Sequence, residues 1–457
     1  MKSPLLPARA ALSAAALLAA CLFVTPVHAA VKLPTILESG MVIQRDQPVR
    51  VWGTADAGEK VTVTLGDATK SATANDSGAW LVELPAQKAD GKAREIRVRG
   101  TNEIVLTDVL VGEVWIGSGQ SNMEWQLTNT HGAPDDIAAA GNPNIRLYHV
   151  PKVQEKGPAS DINAHWTACT PETVPTFSAV LYHFGRELQK ELNVPVGLIN
   201  SSWGGSPIEP WTIKDGKSGG MYNGMIAPIT NFGVRGAIWY QGETNAMQKN
   251  GFAYRQKMED LILGWRDSFQ NPDLDFYYVQ IAPWSGRYEP GELPALWEAQ
   301  VASMSIPRTG MIVTTDLVDN LSDIHPRNKR DVGYRLSLWA LAKTYGREGV
   351  IFSGPLYDSM KVDGNKIRIR FAHAGEGLKS SDGKPLSEFQ IAGESGEYVA
   401  AEATIDGDSV IVSAEGVDAP KNVRFGWHKV AQPNLTNSAG LPASPFQTEG
   451  WRGVAAK

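Results

Sequence analysis

Val114-Trp-Ile-Gly-Ser-Gly-Gln-Ser-Asn-Met123 is the stretch that decides how the rest of the chain is read. Its upstream flank, Val109-Leu-Val-Gly-Glu-Val-Trp-Ile116, is apolar and β-branched, as expected of a strand buried on both faces. The strand runs into a small, polar corner where Ser121 sits. Glycine at 117 and 119 lets the backbone turn sharply and lets another group come close, which a serine needs if its hydroxyl is to stand free in a cleft. Taken alone, the string also fits an ordinary strand-to-loop turn. A catalytic reading needs a histidine, an acid and oxyanion donors from elsewhere in the chain.

Upstream, residues 30–110 are short alternating runs split by turns. Examples are Val49-Arg-Val-Trp-Gly53, Lys60-Val-Thr-Val-Thr-Leu65, Trp80-Leu-Val-Glu-Leu84 and Glu95-Ile-Arg-Val-Arg99, and they predict an N-terminal β-sandwich. Over 111–346 apolar strands alternate with helical stretches. Strands are expected at Val111 to Gly117, Val196 to Asn200, Gly236 to Tyr240, Phe276 to Ile281 and Gly310 to Thr315. Helices are expected around Ser178 to Leu192, Gly251 to Ser268, Leu293 to Ser303 and Arg327 to Tyr345. This is the pattern of an α/β domain, a parallel sheet flanked by helices that binds ligands at the carboxyl ends of its strands. From 347 to 457 the short-strand pattern returns, as in Lys366-Ile-Arg-Ile-Arg-Phe371 and Ser409-Val-Ile-Val-Ser413, and predicts a C-terminal all-β domain.

Residues 1–29 carry Lys2 and Arg9, the apolar run Ala10 to Val24 and the small-residue site before Ala30, which together form a signal peptide. Export to the periplasm or the extracellular space is expected. Leu18-Ala-Ala-Cys21 also fits a lipoprotein box, and anchoring at Cys21 ranks below plain secretion because the apolar run continues past it. No later segment approaches the roughly 18 apolar residues a membrane helix needs. Without the leader, 41 basic face 49 acidic residues, a formal net charge of -8, and no basic cluster points to nucleic acid. Cys169 is the one cysteine outside the leader, so no internal disulfide is expected.

Three further strand ends carry polar motifs. Asp316-Leu-Val-Asp-Asn-Leu-Ser-Asp-Ile-His-Pro326 offers His325 as a general base, which a serine nucleophile requires at neutral pH. Pro326 pushes the His325 backbone toward an extended form. Asp323 is the first candidate to orient the imidazole, with Asp319 in reserve. Asn200-Ser-Ser-Trp-Gly-Gly-Ser-Pro207 offers an N-H at Gly204 or Gly205, and Trp239-Tyr-Gln-Gly-Glu-Thr-Asn245 offers a side-chain amide at Gln241 or Asn245. Such preset donors at a tetrahedral oxyanion are each worth on the order of 3 kcal/mol. Each motif also has a plain structural reading as a capped helix entry or a tight turn.

Together, Gly-Gln-Ser-Asn-Met at 119–123, Asn-Ser-Ser-Trp-Gly-Gly at 200–205, Trp-Tyr-Gln-Gly-Glu-Thr-Asn at 239–245 and Asp-Ile-His-Pro at 323–326 resemble the sialate O-acetylesterase family. That family lies within the SGNH hydrolases and includes acetylxylan esterases. The resemblance implies an SGNH-type α/β fold with Ser121 as nucleophile, His325 as base and Asp323 as orienting acid. It also implies an oxyanion hole built from the Ser121 N-H and Gly205. Two departures stand out. The asparagine follows Gly242 by three residues, where the superfamily has two, which leaves Gln241 as the alternative to Asn245. The superfamily's Asp-x-x-His is here Ser322-x-x-His325. Longer members carry a β domain after the second motif, whereas only Thr212 to Gly220 stands at that place here.

The expected function is therefore a secreted serine esterase that removes O-acetyl groups from acetylated sialic acid or acetylated plant polysaccharide through an acyl-enzyme. The rivals are a carbohydrate-binding protein that lost activity on the same fold, and a serine peptidase. No cofactor is implied, and the remaining histidines lack the spacing of metal ligands.

Overall fold

The computed structural model describes Met1 and residues 30–453, so the leader expected over 1–29 and its alternative anchor at Cys21 lie, Met1 apart, outside the described residues. The central sheet holds strands β1 (Glu103–Gly119), β2 (Asn142–His149), β3 (Trp166–Cys169), β4 (Val196–Ser202), β5 (Gly236–Tyr240), β6 (Asp275–Val279) and β7 (Thr309–Ile312). Their order across the sheet is β7-β6-β5-β1-β4-β2-β3. All pairs are parallel except β2 with β3, so the sheet is mixed, with one antiparallel edge.

Helices α1 (Ala179–Leu192), α2 (Tyr254–Ser268), α3 (Glu292–Ala302) and α4 (Lys329–Trp339) flank it. Trp115 of β1 meets Phe184 of α1 edge-on at 5.0 Å, while Trp239, which points to the opposite face, meets Trp265 of α2 at 6.2 Å. Both faces are thus covered, which is why the strands read as unbroken apolar runs.

β1 organises the whole molecule. Its first half alternates exposed and buried residues and pairs antiparallel with Arg94–Arg99 of the N-terminal β region. Leu110 to Gly112 then pair with Val42–Gln44, and from Glu113 onward every residue is buried between β4 and β5. The boundary expected at 110/111 falls inside this strand. The N-terminal β region and the sheet accordingly share one apolar core.

The C-terminal strands fold into two four-stranded antiparallel sheets, one running from Leu356–Asp363 and the other built around Phe389–Ala392 and Asn422–Phe425, and a two-stranded ladder of Leu378–Ser380 with Leu435–Asn437. They enclose a separate core that includes Ile367, Ile369, Phe371, Val412 and Phe425. Where longer relatives were expected to carry an insertion there is only the two-stranded ladder Ile213–Lys214 with Lys217–Ser218. Among the described residues no helix is long and apolar enough to cross a membrane.

Glu113 fastens the N-terminal region to the sheet. Its carboxylate is fully buried and accepts from Gln44 Nε2 at 3.0 Å, from Arg235 Nε at 3.0 Å and from Arg45 Nε. Removing the charge would leave the largely covered Arg235 guanidinium without its carboxylate and Arg45 with only Asp46, at 3.8 Å. Glu113→Gln is expected to destabilise the protein by about 3 to 5 kcal/mol, the usual cost of breaking a buried pair on one side. A urea midpoint equal to wild type would contradict this role.

Candidate active site

Three strand ends meet around Ser121. Gln120 N-H donates to the Tyr240 carbonyl at the end of β5 (3.0 Å), and Trp203 N-H, just past β4, donates to the Gly119 carbonyl (3.0 Å). Gly119 adopts φ +132°, and a Cβ there would stand 2.2 Å from the Tyr240 carbonyl oxygen, so only glycine admits this approach. The chain then enters the single helical turn Ser121–Glu124. Ser178, the N-cap of α1, donates to the Met123 carbonyl at 2.6 Å and so pins that turn from below.

Across the cleft, the loop that follows β7 brings His325 Nε2 to 2.8 Å from Ser121 Oγ. His325 Nδ1 lies 3.2 Å from Asp323 Oδ1, which also accepts the His325 backbone N-H at 2.9 Å. The other acid considered from sequence, Asp319, is engaged elsewhere. Arg327 Nε donates to it at 2.8 Å, and this guanidinium outweighs partial burial to hold the Asp319 carboxyl below its usual range. The structure therefore brings Ser121, His325 and Asp323 into one line and leaves Asp319 out of it. A hydroxyl, an imidazole and a carboxylate so arranged can move a proton from serine onto histidine as the serine attacks.

The expected oxyanion donors divide. Gly204 lies beside the serine, yet its N-H is donated to the Glu124 carboxylate at 2.6 Å. Gly205, at φ +76°, is exposed, and its N-H has no partner among the described residues. Gln241 and Asn245 are both fully buried. Gln241 Nε2 donates to Asn245 Oδ1 (2.6 Å) and Gln120 Oε1 (3.2 Å), while Asn245 Nδ2 turns to Asn250 (2.9 Å) and Glu209 (3.2 Å). Their amide donors are spent on this network, which fixes Gln120 and hence the backbone ahead of Ser121.

Residues 111–338 match the family described as carbohydrate esterase, sialic acid-specific acetylesterase. The chain is 31% identical to the human sialate O-acetylesterase over 393 residues, covering 73% of this chain and 75% of that one. The rat sialate O-acetylesterase is 30% identical over 410 residues, covering 71% and 76%. A carbohydrate acetylesterase from Xanthomonas citri superposes with a TM-score of 0.89 at 38% identity, covering 92% of this chain and all of that one. The chain belongs to the sialate O-acetylesterase family.

In this family member several groups outside the four motif roles shape the site. Trp125 stacks on the His325 ring at 4.7 Å. Asn122, the residue after the serine, is fully buried and ties three elements together. Its Nδ2 donates to Glu243 Oε1 (2.6 Å) and to the Ile324 carbonyl (3.1 Å), and its Oδ1 accepts from Lys329 Nζ. Lys329 stands in the charged run Arg327-Asn-Lys-Arg330, which reads as a solvated helix start. It is instead wholly buried, with its ammonium 5.8 Å from the Trp125 ring and 5.3 Å from that of Tyr240. Spacing gives no signal of this, because His325 lies in the loop and Lys329 is the first residue of α4. Among the described residues no cluster of His, Cys, Asp or Glu could hold a metal ion.

Burial drives the Lys329 ammonium down to about 7 against the opposing pull of Glu243, and burial raises the Glu243 carboxyl. His325 is lowered first by its own burial and then by the Lys329 charge, with Asp323 opposing. In an NMR titration His325 is therefore expected to protonate below the ordinary value of about 6.5. Lys329→Met removes a repelling positive charge and should raise that midpoint. A midpoint that stays in place or falls would show that the lysine does not act on the imidazole.

Proposed function

We propose that this protein is an exported serine esterase that removes O-acetyl groups from carbohydrates through an acyl-enzyme, with Ser121 as nucleophile, His325 as general base and Asp323 as the acid that orients it. The observation that carries the reading is the 2.8 Å contact from Ser121 Oγ to His325 Nε2, backed by Asp323 on the other ring nitrogen. The free hydroxyl is a weak nucleophile, and a base within hydrogen-bond reach activates it.

Ser121 Oγ adds to the acetyl carbonyl as His325 Nε2 takes its proton. The oxyanion is received by the backbone N-H groups of Ser121 and Gly205. As the carbonyl re-forms, the sugar oxygen leaves and takes the proton from the imidazolium. A water then repeats the sequence on the acetyl-serine and releases acetate. Asp323 stabilises the imidazolium in both halves. Gln241 and Asn245 serve by holding Gln120, and so the serine's own N-H, in place.

Acetylated sialic acid and acetylated xylan are the two substrate classes in view. The family name and the curated relatives favour the first. The short Thr212 to Gly220 segment, where longer relatives are expected to carry a domain, weakens a substrate assignment carried over from those relatives. Export rests on the leader-like composition of residues 1–29.

Ser121→Ala should lower kcat on an aryl acetate by about three to six orders of magnitude with the fold intact. Equal turnover by variant and wild type would rule out this mechanism, and no turnover by either would favour a binding protein. Acetate release across acetylated sialic acid, xylan and pectin fragments then separates the substrate classes. Release from the sialic acid alone assigns the sialate activity, and release from xylan alone assigns a plant polysaccharide.

A further inference from the structure

The segment from Val318 to His325 has no helix or strand of its own, yet it must hold Asp323 and His325 in register with a serine on the far side of the cleft. Asn122 Nδ2 holds its Ile324 carbonyl at 3.1 Å from the side of Ser121, and other donors hold it from the opposite side. The Leu321 carbonyl accepts from Ser285 N-H and Ser285 Oγ, both at 2.8 Å, and the Ser322 carbonyl accepts from Trp284 Nε1 at 3.2 Å. The loop that supplies these donors is in turn held by the C-terminal β domain. Trp284 N-H donates to the Lys429 carbonyl at 2.8 Å, and Lys429 Nζ donates to the carbonyls of Gly286 (2.7 Å) and Tyr288 (2.9 Å).

Resting on the catalytic reading above, we propose that Lys429 of the C-terminal β domain is a positioning residue for ester hydrolysis, acting through Trp284 on the backbone that aims Asp323 and His325. An ammonium is suited to this work. It offers three donors and here spends two on carbonyls of one loop, bonds that are stronger than their neutral counterparts because the donor is charged. The carbonyl of the same residue takes the Trp284 N-H, so the loop is gripped from both polar ends of Lys429. Gln432 of the same domain adds a direct bond, Nε2 to the Val318 carbonyl at 3.0 Å. The C-terminal domain therefore serves as the far wall of the catalytic apparatus. Its effect falls on the geometry between base and nucleophile, where a displacement of about 1 Å costs on the order of a hundredfold in rate.

The test compares Lys429→Met and Lys429→Arg with wild type on an aryl acetate, in the full-length protein. Lys429→Met is expected to lower kcat by roughly ten- to a hundredfold while KM changes by less than about threefold, and Lys429→Arg should recover part of the loss. A cycle with Asp323→Asn separates positioning from general stability. If Lys429 acts through the acid and base, the double variant is no slower than Asp323→Asn alone, whereas independent, multiplying losses would overturn the proposal. Unchanged kcat in Lys429→Met would overturn it as well. Should that variant fail to fold, Trp284→Phe keeps a ring in place and removes the donor to Ser322. The same fall in kcat supports the proposal there, and wild-type kcat contradicts it. Failure of the catalytic reading itself would show separately, as turnover surviving in Ser121→Ala.

Discussion

The active site depends on a place where three strand ends come closer than side chains allow. At Gly119 the backbone of β1 passes so near the Tyr240 carbonyl that a Cβ would stand 2.2 Å from it, and two backbone hydrogen bonds, Gln120 to Tyr240 and Trp203 to Gly119, close the contact. The motifs at 119–123, 200–205 and 239–245 are thereby joined through main chain before any side chain is counted. Main-chain contacts at the ends of buried strands are rigid, because the strands are themselves clamped in the sheet on either side. A serine placed at such a junction has a fixed starting position.

The second partner is supplied differently. His325 and Asp323 sit on a loop with no regular structure, and what holds that loop is a set of side-chain donors reaching its carbonyls. Asn122 Nδ2 grips Ile324 from the serine side, and Trp284 and Ser285 grip Ser322 and Leu321 from the other. Beneath the cleft, the buried group of Asn122, Glu243 and Lys329 links the turn that carries Ser121, the Gln241 to Asn245 motif and α4. Burial costs such charged groups heavily unless they are paired, which explains why the lysine is pushed down and the glutamate up. Burial of the ring, and then the Lys329 charge, lower the His325 imidazole, with Asp323 opposing.

Much of this was legible in the sequence, for a physical reason. Strands covered on both faces leave unbroken apolar runs, so the polar motifs that follow β1, β4 and β5 stand out by contrast. At the expected boundary of 110/111, alternation gives way to continuous apolar residues. That change marks where β1 becomes covered on both faces, and the strand itself continues. β2 escaped notice because Asn142-Pro-Asn opens it with turn residues. Spacing cannot say where an amide points: Gln241 Nε2 donates to Asn245 Oδ1, and Asn245 Nδ2 donates to Asn250 and Glu209. The choice between Asp323 and Asp319 needed Arg327, whose side chain claims Asp319. Lys329 was hidden because a charged run at a helix start is ordinarily solvated, and only the packing of α4 against the turn after Ser121 takes it out of water.

The central claim is that Ser121 carries the acetyl group between the two halves of the reaction. Acid-quenching the enzyme during turnover of an acetyl ester and mapping the modified peptide by mass spectrometry tests this most directly. The account predicts an acetyl adduct on Ser121 that is absent from Ser121→Ala. Turnover at the wild-type rate with the acetyl group on another residue, or persisting in Ser121→Ala, would contradict it.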